Sequence, residues 1–351
     1  MARTSSPLWT GAMLALLAAL AFGITMPVVE LAGRGLGPLT TAALLYMGAC
    51  LSGLLLTALG QASGASLNRT HLPRLGLVAF FGAALAPTLL AWGLQRAGAA
   101  TGSLLLNLEA VFTVLLARAL YREPIGRRVI AALSLMVLAG AALTFDSSRF
   151  VGGSALGALA VGAAAGAWAI DNTLTRSLSE HNSLSVVTAK AALGTTLTTL
   201  LALLLHEHLP APGSALVLLA CGATGYGLSL RLYLLAQRRI GAARTGSIFA
   251  VAPFIGAALA WAMGARPAGA LTALSAGLFG LGVLLHVTER HRHRHVHAPL
   301  EHEHSHRHDD GHHDHVHSSP VAGEHTHAHH HDRVEHEHEH APDLHHGHGH
   351  A

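Results

Sequence analysis

The chain alternates long apolar runs with short polar breaks. At the ~20 residues needed to cross a hydrocarbon core, ten runs stand out, near 8–28, 38–60, 75–94, 99–117, 128–145, 153–172, 184–205, 214–235, 243–263 and 269–287. Breakers such as Gly35-Leu36-Gly37-Pro38 and Pro210-Ala211-Pro212-Gly213 separate them. A chain in lipid must satisfy its own backbone, so runs of this length predict helices. The first, Leu8 to Val29, is longer than the roughly 7–15 residues of a signal-peptide core, so it is read as a crossing.

The pattern also repeats. Residues 98–126, GAATGSLLLNLEAVFTVLLARALYREPIG, have an echo at 241–269, GAARTGSIFAVAPFIGAALAWAMGARPAG. Setting Thr101-Gly102-Ser103 on Thr245-Gly246-Ser247 gives an offset of 144 residues, which places Glu109 on Pro253 and Arg122 on Arg266. Five spans per repeat is an odd number, so the second copy should enter the membrane upside down. The predicted fold is an all-α integral membrane protein: ten transmembrane helices as two inverted five-helix repeats, 1–146 and 147–290, and a disordered tail, 291–351.

Composition supports the division. Hydrophobic residues are 51% and charged residues 12%, which argues against two soluble domains. Residues 1–290 hold 18 Arg/Lys and 8 Asp/Glu; residues 291–351 hold 4 Arg, 11 Asp/Glu and 24 of the 29 histidines. With a cytoplasmic N-terminus the inner segments carry 14 arginines, against Arg34, Arg96, Arg149 and Arg266 outside. A multi-pass protein of the cell (inner or plasma) membrane is expected, monomer or homodimer, with both termini cytoplasmic. The arginines are dispersed and aromatics are 5%, so nothing suggests a nucleic-acid surface. Cys50 and Cys221 lie in apolar runs and read as small core residues. The pairs Gly98/Gly102, Gly153/Gly157 and Gly162/Gly166 predict close helix packing.

These stretches resemble the drug/metabolite transporter superfamily, EamA type. The resemblance covers roughly residues 8–288. It is carried by 98–126, its partner 241–260, the repeat openings ALAFGIT (19–25) and GAWAIDN (166–172), and the Glu123-Pro124 elbow. It implies a 5+5 inverted bundle that exports or exchanges small organic solutes and requires no cofactor. Where the family usually has proline in the middle of span four, the first repeat has Glu109; Pro253 keeps it in the second. The second repeat also lacks the elbow acid.

Glu109 is the sharpest candidate. An ionised residue at a helix centre costs roughly 2.5–3.5 kcal/mol on insertion scales. The apolar neighbours in span four can offset that cost but do not explain the charge. Glu109 is read as facing a wet cavity and taking a proton or a cationic substrate group, the alternative being a purely structural carboxyl. Lys190 and Arg231 are the other charges at depth and its expected counter-ions. Asn107 lies about 200° around the helix from it. Asp171 and Asn172 are read first as a boundary cap. Trp92 and Trp168 are placed near a cavity, while Trp261, Tyr46, Tyr226 and Tyr233 default to interface belt or packing. Glu123 with Arg122, Arg127 and Arg128 reads as a surface ion cluster. The substrate-binding or proton-coupling set is thus Glu109, Lys190, Arg231, Asn107, Trp92, Trp168 and Asp171.

The tail has almost no large apolar side chains, which predicts disorder. Histidine alternates along it: His291, His293, His295, His297; His302, His304, His306, His308; and His336, His338, His340. Alternate residues of an extended chain point the same way, and neutral imidazole suits Zn, Ni, Co or Cu. Loose binding of a divalent transition metal is expected, the alternatives being a solubilising appendage or a pH-sensitive charge switch. No enzyme motif is present. The leading expectation is a secondary transporter, an exporter of a small organic solute, with a metal-binding tail. The alternatives are a transporter of the divalent metal itself, with the tail as ion buffer, and a membrane-anchored metal-binding protein.

Overall fold

The computed structural model describes residues 7–60, 69–121, 125–148, 154–175, 182–240, 242–265 and 269–288, and in the tail 292–297, 300–306, 325–331 and 334–339. The predicted ion cluster around Arg122 and Glu123 lies outside the described residues. The apolar runs form ten helical spans. Six are continuous: α1 (Pro7–Ala32), α2 (Pro38–Ala58), α7 (Arg127–Ser148), α8 (Ser154–Thr175), α9 (Ser183–Leu204) and α14 (Ala270–Val287). Many leucines face outward, among them Leu54, Leu55, Leu138, Leu204 and Leu284. That surface suits hydrocarbon, and the body is a multi-pass membrane protein.

The other four spans are irregular, in matched pairs. Span three runs α3 (Leu72–Ala79), a π-helical turn (Phe80–Leu85) and α4 (Ala86–Ala97). Span eight runs α10 (Pro212–Cys221), a π-helical turn (Gly222–Leu228) and α11 (Ser229–Ile240). Spans four and nine, expected as unbroken helices, are each split. α5 (Ala99–Leu105) and α6 (Leu108–Tyr121) part at Leu106-Asn107; α12 (Ala242–Phe249) and α13 (Ala252–Ala262) part at Ala250-Val251. The two breaks are related by the same 144-residue offset as the sequence repeat. At each the backbone tightens to three-residue hydrogen bonds. Asn107 N–H donates to the Leu104 carbonyl at 3.1 Å, and Val251 N–H to that of Ile248 at 3.3 Å.

Helix packing follows the repeat. Span one packs on spans eight and nine, as span six does on three and four; span two runs along seven, and five along ten. Moving every span on by five, cyclically, turns each of these contacts into another of the set or into itself. Glycines permit the closest approaches. A Cβ on Gly48 would strike the Leu219 carbonyl, and one on Gly222 the Leu45 backbone.

The tail, from Arg290, forms a unit separate from the body. Its described residues form four short strands: β1 (Arg292–His297), β2 (Leu300–His306), β3 (His325–His331) and β4 (Val334–Glu339). β1 pairs with β4 and β2 with β3, both antiparallel. His-X-His alternation has the period of a strand. A two-stranded ribbon is at best marginally stable alone in water.

Gly222→Ala should lower the thermal unfolding midpoint of the purified protein, because overpacking against backbone costs about 1–3 kcal/mol. Gly76→Ala, where a Cβ meets nothing within 4 Å, should not. Equal melting of the two variants would show that the Gly222 crossing is slack.

Candidate functional site

A proline sets the site. In the first π turn the Phe81 carbonyl takes the Ala86 amide, five residues on. The corresponding donor for Gly82 would be residue 87, a proline with no N–H. The stranded Gly82 carbonyl accepts instead from the Tyr46 hydroxyl of α2 and from Trp168 Nε1 of α8, the latter at 3.0 Å. Glycine at 82 also makes room, since a Cβ there would collide with the Asp171 carboxylate.

On α8, Trp168, Asp171, Asn172 and Thr175 recur at i, i+3, i+4 and i+7 and share one face. Asp171, 2% exposed, pairs with Lys190 of α9, 7% exposed, and accepts from Thr175 Oγ1 at 3.2 Å. Asn172 Nδ2 donates to Glu109 Oε1 at 2.6 Å. Glu109 lies in the first turn of α6, where the half-helix dipole favours a carboxylate.

Several expectations are corrected here. Lys190 pairs with Asp171 and not with Glu109, because a deeply buried carboxylate without a cation is the more costly of the two. Asp171 is therefore half of a core ion pair rather than a boundary cap. Arg231 is half-buried in α11. Tyr233 of the same helix lies within electrostatic reach of Glu109. Asn107 serves the helix break: its Nδ2 turns back to the Leu104 carbonyl at 2.9 Å. Trp92 lies beneath Arg96, whose guanidinium carbon is 3.8 Å from its ring centre. That is about 15 Å along the helix from Gly82, so Trp92 is not part of this cluster.

Trp168 is central, and the tyrosines expected in an interface belt or in packing join it as packing residues. Tyr46 and Tyr226 stand 5.5 Å apart between ring centres. Phe22 of α1 is 5.7 Å from Tyr226, 6.2 Å from Trp168 and 5.8 Å from Phe249. Phe249 is 5.0 Å from Tyr233. The Tyr226 hydroxyl, in a residue 5% exposed, has no hydrogen-bond partner. Two sequence signals could have found this site: the spacing of Trp168, Asp171, Asn172 and Thr175, and a proline inside the third span.

Among the residues whose side chains are described, no group of three or more His, Cys, Asp or Glu could hold a metal ion. Of the tail histidines, His291, His308 and His340 lie outside the described residues. The rest of the predicted set stand in strands, with His293 opposite His338 and His295 opposite His336. His302, His304 and His306 stand opposite His329, His327 and His325.

Residues 9–145, and again 155–288, match the sequence profile of the EamA-like transporter family. The chain belongs to the EamA-like transporter family. By its description that family is one of transporters. It is also similar to an uncharacterized transporter of Methanothermobacter thermautotrophicus, 29% identical over 204 residues, or 57% of this chain. The match spans 60% of that relative's length. A solved crystal structure of a protein superposes with a TM-score of 0.58 at 20% identity, over 80% of this chain and 96% of the other. This last likeness is one of fold.

Removing one partner of a buried ion pair costs about 3–5 kcal/mol, whereas removing both together can be nearly neutral. Lys190→Met should therefore destabilise the purified protein more than Asp171→Asn/Lys190→Met does. Chemical or thermal unfolding in detergent measures this, and equal loss in both would mean that the pair is not coupled.

Proposed function

We propose that this EamA-like protein is a secondary transporter that exports a small organic solute, with Glu109 holding the coupling proton or the solute's cationic group. One observation carries the reading. Glu109 lies within electrostatic reach of the buried Asp171–Lys190 pair, near an aromatic cluster, and the three formal charges sum to one negative in excess. An excess charge inside a bilayer is costly and draws a neutralising partner. A proton and a cationic group are both able to supply it, in alternation. The unpartnered Tyr226 hydroxyl offers a polar solute a hydrogen bond, and the faces of Phe22, Tyr46 and Trp168 suit its apolar or cationic part.

The matched copies and the exchangeable packing support two inverted repeats, 1–146 and 147–290, with the site at their interface. The arginine bias supports cytoplasmic termini and residence in the cell (inner) membrane.

The tail is read as a cytoplasmic segment that binds a divalent transition metal. Histidine alternation and the cross-strand histidine pairs support this.

Glu109→Gln keeps the shape and removes the charge. Export of an amino-acid and metabolite panel should fall about tenfold or more, the worth of a ~1.4 kcal/mol interaction, and lose its dependence on pH. Full export with unchanged pH dependence would refute the role of Glu109. Deleting residues 291–351 should abolish Zn or Ni binding by the purified protein and leave organic export intact. Collapse of cellular metal flux in both variants would instead make the metal the cargo.

A further inference from the structure

The two halves of each broken span are packed differently. α5 and α13, the halves nearer the 33–37 loop, lie against each other. Their seam is built from small residues. A Cβ on Gly256 would sit 2.6 Å from Ser103 Oγ and 3.0 Å from the Gly23 carbonyl oxygen, and Ala99, Ala100 and Ala260 form a buried cluster beside it. The other halves keep to their own sides: α6 packs on α7 and α8, and α12 on α1 and α11. Among the described residues α6 and α12 form no such seam. Among the described residues the body is thus closed between these halves at one end.

Two side chains tie that closed end across the seam. Glu30, near the end of α1, accepts the Ala99 amide on Oε2 at 2.8 Å, while Oε1 takes Arg34 at 3.0 Å. Ala99 opens α5, and its amide has no partner within the helix. The preceding Gly98, at φ +81°, has no side chain with which to cap it. From α4, Gln95 Nε2 donates to the carbonyls of Gly33 at 2.8 Å and Leu36 at 3.2 Å. Both ties run between the group of spans one, eight and nine and the group of spans three, four and six. Glu207 differs: it accepts from Leu39 and Thr40 amides at 3.2 and 2.7 Å. It thereby joins α2 to the segment after α9, two helices already packed along their length.

We propose that Glu30, with Gln95, is the latch of a gate at this end of the molecule, and that the gate opens by parting α5 from α13 at the breaks Leu106-Asn107 and Ala250-Val251. The latch sits at a span end, where the Ala99 amide and the Gly33 and Leu36 carbonyls can pass to water when released. Opening is therefore reversible. The hinges are already broken, so no regular helix has to unwind. Only the word gate rests on the transport reading; the parting of the seam is a property of the fold.

The experiment needs no substrate, so its failure is distinct from a failure of the Glu109 assignment. Full-length protein carrying Cys50→Ala and Cys221→Ala is placed in lipid nanodiscs with one reporter cysteine. Ser103→Cys reports on the seam and loses no hydrogen bond, because the Ser103 hydroxyl has no partner. Ala110→Cys reports on α6. Maleimide labelling at Ser103→Cys should be slow and should accelerate about tenfold in Glu30→Ala, on the order of one charge-assisted hydrogen bond's bias on the equilibrium. Glu30→Gln, which keeps an acceptor oxygen, should show a smaller rise, and Gln95→Ala should act in the same direction. Labelling at Ala110→Cys should not increase. A rise at both reporters, which is general loosening, or at neither, overturns the latch.

Discussion

A backbone amide or carbonyl released inside a hydrocarbon slab must find its partner within the protein. Most of the polar architecture here answers that demand. The Gly82 carbonyl, stranded by Pro87, draws Tyr46 and Trp168 from two other helices. The Leu104 carbonyl at the first break is taken by Asn107. The opening amides of α5 and α2 go to Glu30 and Glu207. Irregular backbone therefore gathers side chains of α2 and α8 around the π turn, beside the one face of α8 that carries Asp171 and Asn172. The aromatic cluster and the charged trio are neighbours because both border the place where span three leaves the regular helix.

The two breaks share a backbone and differ in chemistry. Pro253 and Glu109 occupy the same position, the second residue of a half-helix. Both suit it, for different reasons. Proline gives up an N–H that would have no intrahelical partner, and glutamate sets a carboxylate against the positive end of the helix dipole. One repeat thereby gains a fixed kink and the other a titratable group, with little change in the fold. Pseudo-symmetry in shape and asymmetry in charge are compatible for this reason.

The ten spans and the 144-residue repeat were legible because both are patterns of hydrophobicity, and the bilayer tests nothing else about a span. The breaks at Asn107 and Val251 were not. A seven-residue half-helix such as α5 is as apolar as an unbroken one, and the hydropathy of span four carries no mark at Leu106. Pro253 is such a mark, through the amide it lacks as well as through the family resemblance. Asp171 was misplaced because its position near the end of span six suggests a cap. Its burial comes from the packing of α8 against the π turn of span three and from the ion pair with Lys190 of α9. Glu109 is legible in the sequence as a charge within an apolar span, but its neighbour Asn172 follows from how α6 crosses α8, which no spacing within span four encodes.

The charges at depth are hard to explain as stabilising elements. Each costs roughly 2.5–3.5 kcal/mol at a span centre on insertion scales. Apolar residues of similar volume in place of a buried ion pair are often neutral or more stable by about 1–4 kcal/mol. The fold could dispense with Asp171 and Lys190 together, though not with either alone. Glu109 is further from necessity still, since its counterpart in the other repeat is an uncharged proline. The carboxylates at span ends stand in contrast, because each accepts from amides that a neighbouring helix leaves open. Acids near the water thus satisfy backbone, while those at depth satisfy one lysine and leave a negative charge over. A residual charge that the fold does not need, near an aromatic cluster that holds an unbonded hydroxyl, suits the proposed site for a proton or a cationic solute.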